Sequence, residues 1–314
     1  MNVVAATIPA LTNDLLAGSE WGPEQIRELY HLAADIKARP ERYRSALAGR
    51  FLALIFEKPS LRTRVTFEVG ISSMGGGAVF LDHTQSRLGE RESVRDVAKN
   101  LERWIHGIVA RVFKQELLEE LAENASIPVI NALSDRCHPC QALADFFTLE
   151  ERFGNLRGLK VAYIGDGNNV CHSLLTVGAR LGVHVRVATP AGYEPDPTVV
   201  SEARRIAREN RGKIDILRSP EDATNGVQVV YTDVWASMGQ EDEAAQREAI
   251  FAPYQVNEAL LEQADANAVF MHCLPAHRDS EVAAEVIDSP RSIVFDQSEN
   301  RLHVQKAILL TLLS

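Results

Sequence analysis

The stretch FLALIFEKPSLRTR, residues 51–64, shows a pattern that recurs along the chain. Its first six residues are apolar, and Pro59 then interrupts the run because proline cannot donate a sheet hydrogen bond. Ser60 is a residue type that caps helices, so a strand, a loop and a helix are predicted in succession. A strand without polar alternation is typical of a parallel sheet that is covered on both faces.

Apolar runs alternate with segments of helical periodicity over nearly the whole sequence. Predicted strands cover residues 51–56, 77–82, 107–112, 127–131, 159–165, 183–188, 213–217, 227–232, 267–272 and 291–296. Predicted helices begin near Arg62, Glu92 and Gln115 and cover 138–153, 169–181, 198–211, 255–263, 279–286 and about 299–313. The pattern indicates an α/β fold with parallel sheets. A polar segment with two glycines, 150–159, divides the 314 residues into two domains of roughly 150 residues.

Bulk composition argues against several classes of protein. The net charge of -10 disfavours binding to nucleic acid or to an anionic membrane surface, both of which demand a basic face. The apolar runs are shorter than the ~20 residues of a membrane helix, and the N-terminus lacks a basic signal-peptide region. Four cysteines are too few for a disulfide scaffold, so a cytoplasmic location is expected. An anionic ligand would therefore need a local cluster of Arg or Lys.

Ligands of open α/β sheets lie beyond the carboxyl ends of strands, so the loops after strands are the places to search. Arg62 and Arg64 stand at a predicted helix start, where backbone N–H groups bind anions. Arg111 ends the strand GIVAR, HPCQ at 138–141 opens a helix, and Cys-Leu-Pro at 273–275 follows another strand. These local patterns fit phosphate binding, and they fit ordinary helix caps and solvated arginines as well.

Two further motifs suggest other chemistries. The C-x-x-C spacing at 137–140 is typical of redox and zinc sites, but a second cysteine pair nearby in sequence is missing. The segment GDGNN at 165–169 follows a strand and opens a helix, as a dinucleotide fingerprint does. Val170 occupies the place of the third glycine in G-x-G-x-x-G, which disfavours a nicotinamide-dependent oxidoreductase.

Five motifs together resemble the transcarbamylase family in order and spacing, over nearly the whole chain. They are SLRTR (60–64), HPCQ (138–141), GDGNN (165–169), DVWASMG (233–239) and HCLPAHR (272–278). The first two are similar to the motifs that carbamoyltransferases use for carbamoyl phosphate. The last two resemble the loops of ornithine-specific members, and aspartate-specific members lack the Ser-Met-Gly loop.

The resemblance implies a carbamoyl phosphate-binding domain at 1–149 plus 298–314 and an ornithine-binding domain at 150–297. Each is expected to be an open, mainly parallel sheet flanked by helices, with the C-terminal helix returning to the first domain. The implied reaction transfers the carbamoyl group of carbamoyl phosphate to the side-chain amine of L-ornithine, giving L-citrulline and phosphate in arginine biosynthesis. Direct attack without covalent intermediate, metal or cofactor is implied, as is a homotrimer or a multiple of trimers.

The resemblance also implies roles for individual residues. Carbamoyl phosphate is expected at Ser60, Leu61, Arg62, Thr63, Arg87, Arg111, His138, Gln141, Cys273, Leu274 and Arg301. Among these, the residues expected to act in catalysis are Arg111, His138 and Cys273. Ornithine is expected at Asn169, Asp233, Ser237 and Met238. Leu61 departs from the commonest form of the first motif, which has Thr there, although a backbone contact survives any side chain.

The loop HTQSRLGERES, residues 83–93, has two interpretations. Composition alone favours a solvated loop, whereas the resemblance implies that it reaches the phosphate site of a neighbouring subunit, with Arg87 as the donor.

Two functional alternatives also stay open. A carbamoyltransferase for another amine such as putrescine would not need Asn169 and the Ser237 loop, because putrescine has no α-carboxylate. A non-catalytic protein of the same fold is disfavoured by the retention of every charged site residue.

Overall fold

The computed structural model describes residues 14–236 and 241–314. These residues form two compact units, each built on its own parallel sheet. The chain up to Phe147 and the segment Glu299–Ser314 make the first unit, and Thr148–Ser298 make the second. The end of the chain therefore returns to the first unit, and the fold class predicted from the sequence is confirmed.

The first unit contains four parallel strands in the order β2-β1-β3-β4. The strands are β1 (Phe51–Phe56), β2 (Gly77–Asp82), β3 (Gly107–Arg111) and β4 (Val129–Leu133). Its helices are α1 (Pro23–Ala38), α2 (Leu61–Ser72), α3 (Val94–Leu101), α4 (Gln115–Asn124), most of α5 (Pro139–Phe153) and most of α12 (Val294–Leu313). Because β1 and β3 are adjacent and in register, Phe56 and Arg111 lie side by side at the carboxyl edge of the sheet.

The start of α2 follows from its local sequence. Ser60 has an extended backbone, and its Oγ accepts a hydrogen bond from the Thr63 N–H at 3.3 Å, which caps the helix. All residues of β1 after Phe51 are buried, as expected for a strand covered on both faces. The segment between this buried strand and the capped helix is therefore held at the carboxyl edge of the sheet.

The second unit contains five parallel strands in the order β7-β6-β5-β8-β9. The strands are β5 (Lys160–Ile164), β6 (His184–Ala188), β7 (Lys213–Leu217), β8 (Val229–Thr232) and β9 (Val269–His272). The helices are α6 (Asn169–Leu181), α7 (Pro197–Glu209), α8 (Pro220–Thr224), α9 (Ala244–Phe251), α10 (Glu258–Leu261) and α11 (Ala284–Ile287). Gly167, in the loop after β5, lies so close to Pro195 that a Cβ atom would come within 2.2 Å of the proline nitrogen. The second glycine of GDGNN is thus required by this packing.

The tenth predicted strand, 291–296, is wrong. Ser292 makes only an isolated bridge to Phe270, and the chain enters α12 at Val294. The short apolar run there packs into the core at Ile293 and Val294, and a run of that length does not distinguish a strand from a buried helix start. The predicted helices at 255–263 and 279–286 are shorter in the structure than expected. Among the described residues, no helix is long and apolar enough to cross a membrane.

Candidate active site

The loop between β1 and α2 brings four of the predicted residues to the edge of the first sheet. The side chain of Leu61 is 74% exposed, so we expect this residue to contribute its backbone groups, and not its side chain, to ligand binding. Thr63 is buried, and its Oγ1 accepts a hydrogen bond from Arg301 at 3.1 Å. Arg64 is engaged elsewhere, because it pairs with Glu68 at 2.9 Å and stacks on Phe80.

Arg301 joins three distant parts of the first unit. Its guanidinium donates to the Oε1 atom of Gln141 as well as to Thr63, and all three side chains are buried. Gln141 lies in the first turn of α5 and Thr63 in the first turn of α2, whereas Arg301 comes from α12. A buried guanidinium has five donors in a fixed fork, which suits the oxygens of a phosphate group.

His138 stands immediately before α5, and it is buried. Burial, followed by the positive charges of Arg301, Arg111 and Arg62, holds the pKa of His138 well below its usual value. The imidazole is therefore neutral at physiological pH, with one nitrogen as donor and the other as acceptor. Arg301, Arg111 and Arg62 each lie close enough to this ring for their charges to act on it. Together with the contacts of Arg301 to Gln141 and Thr63, the structure thus brings together most of the predicted phosphate residues of the first unit.

Arg87 lies against an aromatic ring of its own chain. Its guanidinium carbon is 4.3 Å from the ring centre of Phe113, and the Nζ of Lys58 is 4.1 Å from the same centre. The buried carboxylate of Glu57 accepts hydrogen bonds from the N–H groups of Leu88 at 3.0 Å and Phe113 at 2.8 Å. Sequence reasoning missed Glu57 and Lys58, although charged residues directly after a buried strand are a usable signal.

In the second unit, a buried carboxylate forms the centre of the predicted ornithine site. Asp233 accepts a hydrogen bond from the Cys273 Sγ at 3.0 Å and another from the Asn168 Nδ2 at 2.8 Å. Asn168 also caps α6, since its Oδ1 accepts from the N–H groups of Val170 and Cys171, each at 3.0 Å. Asn168 therefore contacts Asp233 directly, and the sequence analysis did not include it among the site residues. The role of its neighbour Asn169 in ornithine binding stays a prediction.

The predicted residues Ser237 and Met238 lie outside the described part of the chain. The segments on either side of them are joined by Arg247, whose guanidinium donates at 2.9 Å to the Trp235 carbonyl, to Asp166 and to Glu243. Burial raises the pKa of Asp166 to about 6 against the lowering effect of Arg247. Sequence reasoning missed this group, because the ion pair joins residues 81 positions apart.

The turn after β9 has a constrained backbone. Leu274 has φ of 58°, in the left-handed region that non-glycine residues rarely occupy. Its N–H donates to the Nδ1 of His272 at 2.8 Å, so the Nε2 of the neutral ring carries the proton and donates to Glu281 at 3.2 Å. Burial raises the pKa of Glu281, but the hydrogen bonds from His272 and the His277 N–H outweigh it and leave that pKa below its usual value.

Cys273 and Leu274 belong to the second unit, and Cys273 lies beside Asp233. The other residues predicted for carbamoyl phosphate, from Ser60 to Gln141 along the chain and Arg301, belong to the first unit. The prediction for carbamoyl phosphate thus draws on both units, whereas the described part of the prediction for ornithine lies wholly in the second.

Asp233, His272 and Cys273 also form a group whose ligand atoms lie within 4.8 Å of one another. Three such atoms are the minimum for a protein-held zinc ion. Both ring nitrogens of His272 are already engaged, one by the Leu274 N–H and the other by Glu281. Only Asp233 and Cys273 are left to bind a metal, so this group does not fit a resident ion.

Comparisons with known proteins agree with the two units. Residues 13–151 match the family described as aspartate/ornithine carbamoyltransferase, carbamoyl-P binding domain. Residues 157–312 match the family described as aspartate/ornithine carbamoyltransferase, Asp/Orn binding domain.

Individual relatives match over nearly their full length. The chain is 54% identical to an ornithine carbamoyltransferase of Thermus thermophilus, with 98% of each chain covered. It is 50% identical to one of Anoxybacillus flavithermus, with 99% of each covered. The solved structure of ornithine carbamoyltransferase from Pyrococcus furiosus superposes with a TM-score of 0.93 at 48% identity, covering 96% of this chain and 97% of that one. The chain belongs to the aspartate/ornithine carbamoyltransferase family.

Proposed function

We propose that the protein transfers the carbamoyl group of carbamoyl phosphate to the side-chain amine of L-ornithine, giving L-citrulline and phosphate. The observation that carries this proposal is a neutral histidine, His138, with the buried Arg111 and Arg301 and the partly buried Arg62 around it. Clustered arginines give a chain of net charge -10 a local positive site that suits an anionic ligand such as a phosphate group. Relatives that are 50–54% identical over whole chains carry the corresponding name.

The first unit is the carbamoyl phosphate-binding domain in this proposal. Ser60, Leu61 and Thr63 bind the phosphate through backbone N–H groups and hydroxyls at the start of α2, where the helix dipole favours an anion. Arg62, Arg111 and Arg301 neutralise its charge. Charge-assisted hydrogen bonds from arginine are roughly twice as strong as neutral ones, so these residues dominate the affinity.

His138 and Gln141 bind the carbamoyl end of the substrate. As nitrogen attacks, the carbonyl oxygen gains negative charge, and donors aimed at that oxygen stabilise the transition state. Removal of one such donor costs roughly 3–4 kcal/mol in enzymes that use them. A neutral imidazole with its Nε2 or Nδ1 protonated can serve as this donor, and Arg111 can contact both the carbonyl oxygen and the phosphate.

The second unit is the ornithine-binding domain. Asp233 binds the α-amino group, and Asn169, Ser237 and Met238 contribute the remaining contacts. The side-chain amine must be neutral to attack, although its free pKa resembles that of lysine, about 10.4. Cys273 lies beside Asp233. Cys273 and Leu274 contact the reacting groups, while the departing phosphate accepts the proton.

The proposal extends to the cellular setting. The boundaries 1–149 plus 298–314 and 150–297 define the two substrate domains, and the assembly is a cytoplasmic homotrimer, or a multiple of trimers, acting in arginine biosynthesis. Arg87 contributes to the phosphate site of a neighbouring subunit. The four free cysteines among the described residues are compatible with a reducing compartment.

The test is citrulline formation by the purified protein, measured with carbamoyl phosphate and ornithine both present. Omission of either substrate should abolish the product. An Arg301→Lys variant should raise the KM for carbamoyl phosphate, because a point charge replaces the fork that contacts Gln141 and Thr63. Absence of citrulline from a folded wild-type protein would contradict the proposal.

A further inference from the structure

We propose that Asp145 is a positioning residue for the carbamoyl phosphate site and that it acts through Gln141. This inference rests on the function proposed above and assigns a role to a carboxylate that the sequence motifs do not include. Asp145 is fully buried on α5, four residues after Gln141, so the two side chains lie on the same face of the helix.

The amide of Gln141 is held at both ends. Its Nε2 donates to the Oδ1 of Asp145 at 2.7 Å, and its Oε1 accepts from Arg301. An amide that rotated by half a turn would bring its N–H groups against the donors of Arg301 and its oxygen against the carboxylate. Asp145 therefore selects the orientation in which Gln141 presents an acceptor to Arg301.

Arg301 in turn is fixed by its acceptors. Thr63 accepts from it at 3.1 Å. With its amide oxygen turned towards the guanidinium, Gln305 accepts from Arg301 at 3.0 and 3.3 Å and donates to Thr66 at 2.5 Å. The guanidinium that binds phosphate in the proposed function is thus aligned before the substrate arrives, and the orientation of Gln141 depends on a buried carboxyl group.

Burial determines how much this contact matters. A hydrogen bond to an ionised group in a water-free interior is stronger than one in water, and the loss of one partner leaves the other unsatisfied. Misalignment of the groups around a phosphate should appear mainly as weaker binding of the anion. A residue with a merely structural role would lower the stability of the fold without this selective effect.

The test compares Asp145→Asn, Gln141→Ala and the double variant, with Thr148→Val as a matched control. Thr148 is a buried polar residue of the same helix, three positions further along. The measurements are the KM for carbamoyl phosphate and for ornithine, the binding of inorganic phosphate by calorimetry, and the thermal unfolding temperature. Asp145→Ser serves as a second variant if the asparagine is poorly tolerated.

Asp145→Asn keeps an acceptor for Gln141 but replaces a carboxylate by a weaker amide oxygen. We therefore expect it to raise the KM for carbamoyl phosphate by about fivefold to tenfold, the factor that corresponds to the difference between a charge-assisted and a neutral hydrogen bond. The KM for ornithine should change by less than about twofold. In the Gln141→Ala background, the same substitution should add less than about twofold, because residues that act through one another are not additive. Thr148→Val should lower the unfolding temperature and leave phosphate binding unchanged.

Two results would overturn the inference: an unchanged KM for carbamoyl phosphate in the folded Asp145 variants, or an effect of Asp145→Asn that persists in full when Gln141 is alanine. Wild-type citrulline formation is measured in the same series. Absence of citrulline from the wild-type reaction contradicts the proposed function. An active wild type together with Asp145 variants whose KM for carbamoyl phosphate is unchanged contradicts this inference alone.

Discussion

The guanidinium carbon of Arg87 lies 4.3 Å from the ring centre of Phe113, within the same chain. The contact is a cation–π interaction, and Lys58 shares the ring. Glu57 anchors both the loop of Arg87 and the backbone of Phe113 through two hydrogen bonds. Arg87 is exposed at this position, so its guanidinium is open to contact from a neighbouring subunit, as the shared-site proposal requires.

Complementation tests that proposal. Arg87→Ala and Arg111→Ala chains are each expected to be nearly inactive, and mixing them under conditions that exchange subunits should restore activity. The reason is that a shared site can draw its Arg111 from one chain and its Arg87 from another, so some sites in mixed trimers carry neither substitution. Steady-state citrulline formation before and after exchange is the measurement. If mixed trimers form and remain as inactive as both parents, Arg87 does not act across subunits.

The second prediction concerns Arg111, which is buried at the end of β3. Arg111→Ala should abolish useful turnover with the fold intact, because loss of one partner of a desolvated charge pair costs about 2–5 kcal/mol. The exposed Arg103 provides a control of the same residue type, and Arg103→Ala should retain wild-type kinetics. A well-folded Arg111→Ala enzyme with an unchanged steady-state rate would refute the assignment of this residue.

The sequence predicted nine strands of the described structure because buried parallel strands are uninterrupted apolar runs. It failed at 291–296, where a similar run begins α12, since burial produces the same composition in a strand and in a helix. It also missed the first helix, Pro23–Ala38, and α9, although α1 carries apolar residues at helical spacing.

For the site, the motifs identified which loops matter but not which atoms meet. In the adjacent pair Asn168 and Asn169, only the folded backbone shows that the first caps α6 and contacts Asp233. The ion pair of Arg247 with Asp166 depends on the packing of α9 against the loop after β5, which no local pattern reports. Long-range polar contacts of this kind follow from tertiary structure and leave little trace in the periodicity of the sequence.

The third prediction follows from the buried carboxyl of Asp166, whose pKa is raised by burial from 3.8 to about 6. The folded state therefore binds this proton more tightly than the unfolded state, and the resulting stabilisation is present at low pH and is lost as pH rises through 6. Between pH 5 and pH 7.5 the loss should be about 1.4 kcal/mol, one pKa unit of differential binding. Asp166→Asn should lack this dependence.

Urea unfolding of the wild type and of Asp166→Asn at the two pH values measures the effect. Arg247 loses one of its charged partners in the variant, so the free energy of unfolding should shift by the same amount at both pH values, apart from the titration of Asp166. A difference between the two proteins that is the same at pH 5 and pH 7.5 would show that Asp166 does not titrate in this range.

The fourth prediction concerns the reactivity of the four cysteine thiols. Burial raises the pKa of Cys137 and of Cys140 to about 12, and it raises the pKa of Cys171 well above its usual value. Cys273 is only partly buried. Because the thiolate is the reactive form, iodoacetamide at pH 8 should label Cys273 in the native protein and the other three only after unfolding.

Peptide mapping by mass spectrometry identifies the labelled positions, and Cys273→Ser should remove nearly all of the native reaction. Labelling of Cys137 or Cys140 at a rate close to that of Cys273 would mean that the first unit opens far more readily than its packing indicates.

The identity of the acceptor amine is the central claim, and a direct comparison of amines tests it. The initial rates with carbamoyl phosphate and each of L-ornithine, putrescine and L-aspartate are measured, and the products are identified by mass. Citrulline should form with a kcat/KM at least about a hundredfold above that of either competitor, because a site built around Asp233 for an α-amino acid leaves polar groups unpaired with putrescine. Equal or faster formation of carbamoylputrescine, or of carbamoylaspartate, would contradict the account.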